Sequence, residues 1–446
     1  MNLDVSGMRQ TVLKLAWPII VQQLLVNGML LVDTLMLGFY STTSLAASGV
    51  ADPLLFSARM VLMAIPIATT AMVARAIGEN NLAKARHNAA VSLSAGLLIG
   101  IIVSLIGYQL AGPIIKLYLK TPEIIYEATL YFKLVISVFV FNYLYLIATS
   151  ICRGAGDTRT PMLISIGANI LNVIGDYLLI YGKFGCPELG IKGAAISTMV
   201  SSVIECTALI IFIFTRHSKV PMNLTSFVTI KIEQFKTLLR VSIPAAIEPF
   251  IIQMGMLLFL KMVTQLGEAS IAAHRILLRI EGISFMPGIA LSIACAAIVG
   301  QSLGAQKIDS AKAGCRESNK LALFIMCTCG IIFVAIPSFL LGLFTPDKAV
   351  IAIGTGCLMI AALEQPFIGY TMVHRGALQG AGDTRSPIWV AIIGVWLVRL
   401  PLIYWLTLVK GYGLFSIWAT TPIDWAVRAL VFRILYRRGR WKEIKI

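Results

Sequence analysis

Apolar residues in this chain run on where an amphipathic helix or a half-buried strand would interrupt them with polar ones. Stretches such as Ile170 to Gly182 (ILNVIGDYLLIYG) and Leu321 to Phe344 (LALFIMCTCGIIFVAIPSFLLGLF) approach or exceed the ~20 residues needed to cross a bilayer as a helix, and similar runs recur along the whole sequence. In hydrocarbon every backbone N–H and C=O must be bonded within the segment, so such runs predict helices. The pattern predicts an all-α membrane protein of twelve transmembrane helices, near 13–38, 47–74, 89–110, 128–151, 161–182, 193–215, 239–265, 276–302, 318–343, 351–377, 387–409 and 413–436. The most polar long connection, Thr215 to Leu239, divides them six and six. This gives an amino-terminal lobe over 1–220 and a carboxyl-terminal lobe over 221–446.

Composition agrees: 58% of the 446 residues are hydrophobic and 13% charged, with a mean hydropathy of +0.85, against roughly 45–50% apolar in soluble domains. No soluble domain fits between the spans. The first apolar run continues to Leu37 without a small-residue cleavage site, which predicts a retained first span. The eight cysteines lie mostly inside apolar runs, with no metal-like CxxC pair, so they read as small packing residues; neither a metal site nor a cofactor is expected. A net charge of +16 raises the question of nucleic acid, but the basic residues are scattered through short connections and form no single stripe. Most of the 37 Lys and Arg fall in connections on the side of the amino terminus. The positive-inside rule then places both termini in the cytoplasm, with the chain in the plasma (inner) membrane.

One polar motif occurs twice. CRGAGDTRTP (Cys152 to Pro161) returns as LQGAGDTRSP (Leu378 to Pro387), and Asp157 and Asp383 stand 226 residues apart, as do Pro18 and Pro244, Ser44 and Ser270, and Gly78 and Gly304. The chain is two copies of one six-span unit. An even number of spans makes the copies enter from the same side, related by an axis along the membrane normal. The repeated turn joins the fourth and fifth spans of each half. Its glycines permit close approach and positive φ, its Asp caps the next helix, and its Pro suits that helix's first turn.

These elements resemble the multidrug and toxic compound extrusion (MATE) family. The resemblance rests on LAWPII and LVDTLMLG in the first span, the two GAGDTR turns, NILNVIGDYLLIYG with PELGIKGAAIST across the fifth and sixth, and RIEGISFMPG with VGQSLGA in the eighth. It covers nearly the whole chain, and the spacing is most similar to the DinF-like branch. The resemblance implies a two-lobed, V-shaped antiporter that exports organic cations or other amphiphiles against inward H⁺ or Na⁺, its partners being those small substrates and membrane lipids. A monomer is expected.

An ionised carboxylate at bilayer depth costs several kcal/mol, so acids there need a cavity or a partner. Asp33 lies deep in the first span with no Lys or Arg one helical turn away, and Asn169, Asn172 and Asp176 share one face of the fifth. In DinF-like proteins an acid of the first span works with an Asn and an Asp of the fifth and a Thr of the sixth; the matching positions are Asp33, Asn172, Asp176 and Thr198. A shift of 226 places Phe259, Val398 and Leu402 opposite Asp33, Asn172 and Asp176, so coupling is expected in one lobe. Some family members carry an acid deeper in the seventh span, where this chain has Ile252 and Gln253, which puts a sodium site of that type in doubt.

The carboxyl-terminal lobe offers Glu248 as a possible acid. Glu281 is expected to pair with Arg275 or Arg279, and Glu364 to cap a kink at Pro366. Lys261 suits snorkelling near the outer end of its span, and Arg399 either pairs with an acid or lines the cavity. The rival reading is a flippase for a lipid-like or lipid-linked substrate, which would need a basic cavity. Enzymatic chemistry is not expected, since no HExxH, GxSxG or GxxxxGK[ST] motif occurs.

Overall fold

The computed structural model describes residues 4–228, 232–444 and 446, and among them no strand occurs. The chain packs as two compact units, one of Trp17–Leu239 and one of Met1–Ala16 with Arg240–Ile446. The division falls inside the first helix, two residues before Pro18, whose missing N–H removes a backbone bond there. Met8, Val12, Leu15 and Ala16 join Leu291, Cys295 and Ile298 in a buried core of the second unit, so the first turns of the chain are held by that unit.

The amino unit contains α1 (Met8–Tyr40) from Trp17 onward, α2 (Thr42–Leu62), α3 (Ala64–Gly78), α4 (Leu82–Lys116), α5 (Pro122–Ser137), α6 (Phe139–Gly154), α7 (Arg159–Tyr181) and α8 (Ile191–Phe214). Two of its six spans are interrupted. Helices α2 and α3 meet at Met63, just ahead of Pro66, which cannot donate to the preceding turn. Helices α5 and α6 bend by 46° at Val138, where the Ser104 hydroxyl of α4 accepts the freed Val140 N–H at 3.2 Å.

The connection holds the single turn α9 (Thr225–Val228). The carboxyl unit follows with α10 (Ile232–Val263), α11 (Glu268–Gly304), α12 (Ile308–Ala335) with the short α13 (Pro337–Gly342), and α14 (Lys348–Ala381). Its fifth span is α15 (Ser386–Ala391), a π-helical stretch Ile392–Arg399, α16 (Leu400–Ile403) and a second π stretch Tyr404–Val409. Pro401, which has no N–H, stands between the two π stretches. Helix α17 (Leu414–Arg438) closes the unit.

Among the described residues ten helices are long and apolar enough to cross a membrane, and the α5–α6 pair makes an eleventh. Helix α17 has the length of a span but carries Asp424, Arg428 and Arg433, which lower its apolarity; it is the twelfth.

The repeated turn has the same construction in both units. Gly156 and Gly382 adopt φ of 77° and 91°, the left-handed region that favours glycine. Asp157 Oδ1 accepts the Arg159 and Thr160 amides at 3.2 and 3.1 Å, and Asp383 Oδ1 accepts that of Ser386 at 3.0 Å. Gly154 packs on the Thr70 carbonyl and Gly380 on that of Ala296, positions 226 residues apart in each helix.

Candidate functional site

Helices α1, α7 and α8 of the amino unit bring the polar residues together, and small residues make that possible. A Cβ on Gly175 would stand 2.5 Å from the Ser197 hydroxyl, so α7 and α8 approach closely only because position 175 has none. The Tyr181 hydroxyl donates to the Met36 carbonyl at 2.8 Å, fixing α7 against α1 within a turn or two of the acids.

Asp33 and Asp176 face one another across this contact, with their carboxyls in hydrogen-bonding reach. Asp176 is fully buried, and neither of its oxygens, nor Asp33 Oδ1, meets a hydrogen-bond donor. Among the described residues neither acid forms an ion pair. Two carboxylates in contact repel; a proton placed between them turns the contact into a hydrogen bond.

Asn172 is buried one turn below Asp176, and its Nδ2 donates to Ser197 Oγ at 2.9 Å, while that hydroxyl donates back to the Asn172 carbonyl at 2.8 Å. Ser197 is also a close polar neighbour of Asp176. Asn169 lies a further turn along and donates to the Ser165 carbonyl at 2.6 Å. The structure thus joins Asp33 with Asp176, and brings Asn172 to them through Ser197. Thr198 is half-buried and its carbonyl accepts the Ser201 hydroxyl at 3.1 Å; among the described residues no hydrogen bond of its side chain reaches the acids. Its neighbour Ser197 makes the contacts on that side.

Sequence reasoning passed over two further members. Asp52 of α2 accepts the Tyr131 hydroxyl of α5 at 3.0 Å, and both lie within electrostatic reach of Asp33. The signal was present in Asp52 itself, a span-embedded acid by the same criterion that marks Asp33; Tyr131 has no such mark. Glu205 of α8 was likewise readable as an intramembrane acid, and it contacts Tyr145 and Ser165 nearer the opposite end of the helix. Tyr145 in turn accepts from Gln22 at 2.7 Å, and Gln22 accepts from Arg153 at 2.7 Å.

In the carboxyl unit Glu248 is held by Arg375 at 2.6 Å and by Gln379 at 3.3 Å. Gln22 and Arg153 occupy the equivalent positions, 226 residues earlier, so this is the same inter-helix bridge with its charges redistributed. Arg399 pairs with Asp424 at 2.8 Å, and Lys261 is exposed. Glu281 does not pair with Arg275 or Arg279. Those two lie on the exposed side of α11, because offsets of six and two residues turn them away from Glu281. Glu281 instead meets Glu364, which contacts that acid and does not serve as a cap at Pro366.

Two repeated six-span units, each with acids at span depth that form no ion pair among the described residues, define an integral membrane transporter of the internally repeated kind. Comparison with known proteins assigns the family. The MatE family model matches residues 18–178 and again 244–405, its two starts 226 residues apart like the repeat itself. The "Probable multidrug resistance protein NorM" of Thermotoga maritima is 30% identical over 441 residues, covering 99% of this chain and 94% of that one. The "Multidrug resistance protein MdtK" of Pectobacterium atrosepticum is 25% identical, covering 88% and 86%. Among solved structures, the bent form of the Vibrio cholerae MATE transporter VcmN superposes with a TM-score of 0.90 at 19% identity, over 97% of each chain. The chain belongs to the MATE family of multidrug efflux transporters.

Proposed function

We propose that this protein exports small amphiphilic or cationic compounds across the inner membrane, as a monomer with both termini cytoplasmic, in exchange for inward H⁺. The observation that carries the reading is the Asp33–Asp176 pair in the amino unit, Asp176 fully buried and Asp33 half-buried, with no ion pair to either among the described residues. Such a pair sheds its mutual repulsion when it binds one proton, which makes its geometry dependent on protonation.

In the proposed cycle the pair, open to the outer side, takes up a proton from water. With one of the two charges neutralised and the repulsion relieved, α1 beyond Pro18 and the α2–α3 break before Pro66 repack, and the bound compound leaves outward. Reclosure presents the proton to the cytoplasm. Asp52 and Tyr131 tune the charge that Asp33 faces, and the Asn172–Ser197 bridge holds α7 and α8 in register. The positive-inside bias of the connections supports the orientation.

The test is export of a fluorescent cation, read as its uptake into inverted vesicles, driven separately by ΔpH and by a sodium gradient. Asp33→Asn, expected to fold normally, should fall to the level of vesicles lacking the protein under ΔpH. Transport by that variant at the normal rate would remove Asp33 from the mechanism, and efflux driven only by sodium would replace the proton as the coupling ion.

A further inference from the structure

The carboxyl unit buries a second pair of acids, built from different positions of the repeat. Glu281 on α11 and Glu364 on α14 lie in hydrogen-bonding contact, 8% and 0% exposed. Both Glu364 oxygens are without a donor. The Thr421 hydroxyl is a polar neighbour of Glu364, and its proton goes to the Trp418 carbonyl at 2.9 Å.

Beside the pair sits a charged triad. Asp424 of α17, fully buried, receives Arg428 through two bonds at 2.6 and 2.7 Å and Arg399 of the π-helical stretch at 2.8 Å. The titratable groups facing the pair and the triad are therefore Arg399, Asp424 and Arg428, with His274 of α11 near Arg399 and Glu248 near Arg428, the last ion-paired with Arg375 and so adding no net charge.

Charge balance sets the occupancy. Two arginines and one aspartate leave one positive charge. Two ionised glutamates would make the buried group negative by one, and two protonated ones would leave it positive by one. A single proton shared by the pair brings it to neutrality, the state a low-dielectric interior favours, and the same proton supplies the donor that the Glu364 oxygens lack.

We propose that Glu281 and Glu364 form a second proton-binding site, which exchanges one proton with water during each transport cycle independently of Asp33 and Asp176. Losing the proton adds a negative charge facing Arg399, which then competes with Asp424 for that guanidinium. Arg399 is the last residue of the π stretch Ile392–Arg399 and stands two residues before Pro401. Its backbone belongs to a part of the fifth span that lacks regular α bonding. The state of the acid pair is thereby linked to the conformation of that span. The proposal rests on proton-coupled export only for the exchange during transport; the shared proton follows from the local charges.

Infrared spectroscopy of the purified full-length protein in lipid separates the two. In an Asp33→Asn, Asp176→Asn background, a protonated-carboxyl stretch that shifts in D₂O is expected to be lost in Glu364→Gln and equally in Glu281→Gln, apart from any band of the intramembrane Asp52 and Glu205, which both substitutions leave in place. In liposomes with the native amino site, Glu364→Gln should move one proton fewer per substrate exported. Spectra in which neither substitution removes a protonated-carboxyl band, a removed band that does not shift in D₂O, or an unchanged proton count would overturn the site. If Asp33→Asn still exports, the amino-unit mechanism fails while the infrared band continues to report on Glu281 and Glu364. Should Glu364→Gln fail to fold, Glu364→Asp, which keeps the charge balance, is expected to fold and retain the band.

Discussion

Asp33 was conspicuous because a carboxyl without a neighbouring cation is rare inside an apolar helix. The α7–α8 contact beside it depends on a residue with no side chain. Gly175→Ala would drive a methyl into the Ser197 hydroxyl and part α7 from α8, an overpacking expected to cost about 1–3 kcal/mol and to lower the thermal midpoint of the purified protein. Gly28→Ala on α1 meets nothing within 4 Å and should be neutral or slightly stabilising in the same measurement. Equal midpoints for the two variants would show that the α7–α8 contact does not depend on position 175. The exchange of Thr198 for Ser197 at the acids has a similarly local cause. A helix turns by about 100° per residue, so which of two adjacent hydroxyls faces α7 depends on how α8 is rotated against it.

At the scale of elements, most of what the sequence announced is backbone chemistry. The repeated turn predicted its own capping and its positive-φ glycine, and both occur in both units. Asp157→Ala and Asp383→Ala should each cost about 1 kcal/mol, read as a loss of thermal stability with efflux retained. No loss in either would mean that the Pro at the first turn suffices to start the helix. Interrupted spans were harder to read. Pro66 signals the break between α2 and α3, but the bend at Val138 has no proline and depends on the Ser104 hydroxyl of another helix. Pro401 marks the disturbed fifth span, but the Arg399–Asp424 pair at the end of its first π stretch joins two helices, and no local pattern encodes it.

For the molecule as a whole, the repeat and the charge bias make an orientation testable. Cys186, half-exposed in the α7–α8 connection, should react with an impermeant thiol reagent added outside intact cells, whereas Lys219→Cys, in a Cys186→Ser background, should react only after the membrane is opened. The reverse labelling would invert the topology. The two units share a backbone plan and a bridging position, Gln22 with Arg153 in one and Glu248 with Gln379 in the other, yet their buried acids lie at unrelated positions. Duplication preserved the scaffold, while the chemistry diverged.

The sequence alone determined that this is a duplicated, twelve-span helical membrane protein of the MATE family, because hydrophobic run length, turn residues and a 226-residue period are properties of one dimension. It also marked Asp33, Asp176 and Asn172, since polar groups stand out in apolar runs. Tertiary structure decided which of those groups touch: Asp33 with Asp176, Ser197 and not Thr198, Asp52 with Tyr131, Glu281 with Glu364. Each of these contacts joins different helices, and helix rotation, close approach at glycine and the requirement that buried charge be balanced are settled only when the helices pack.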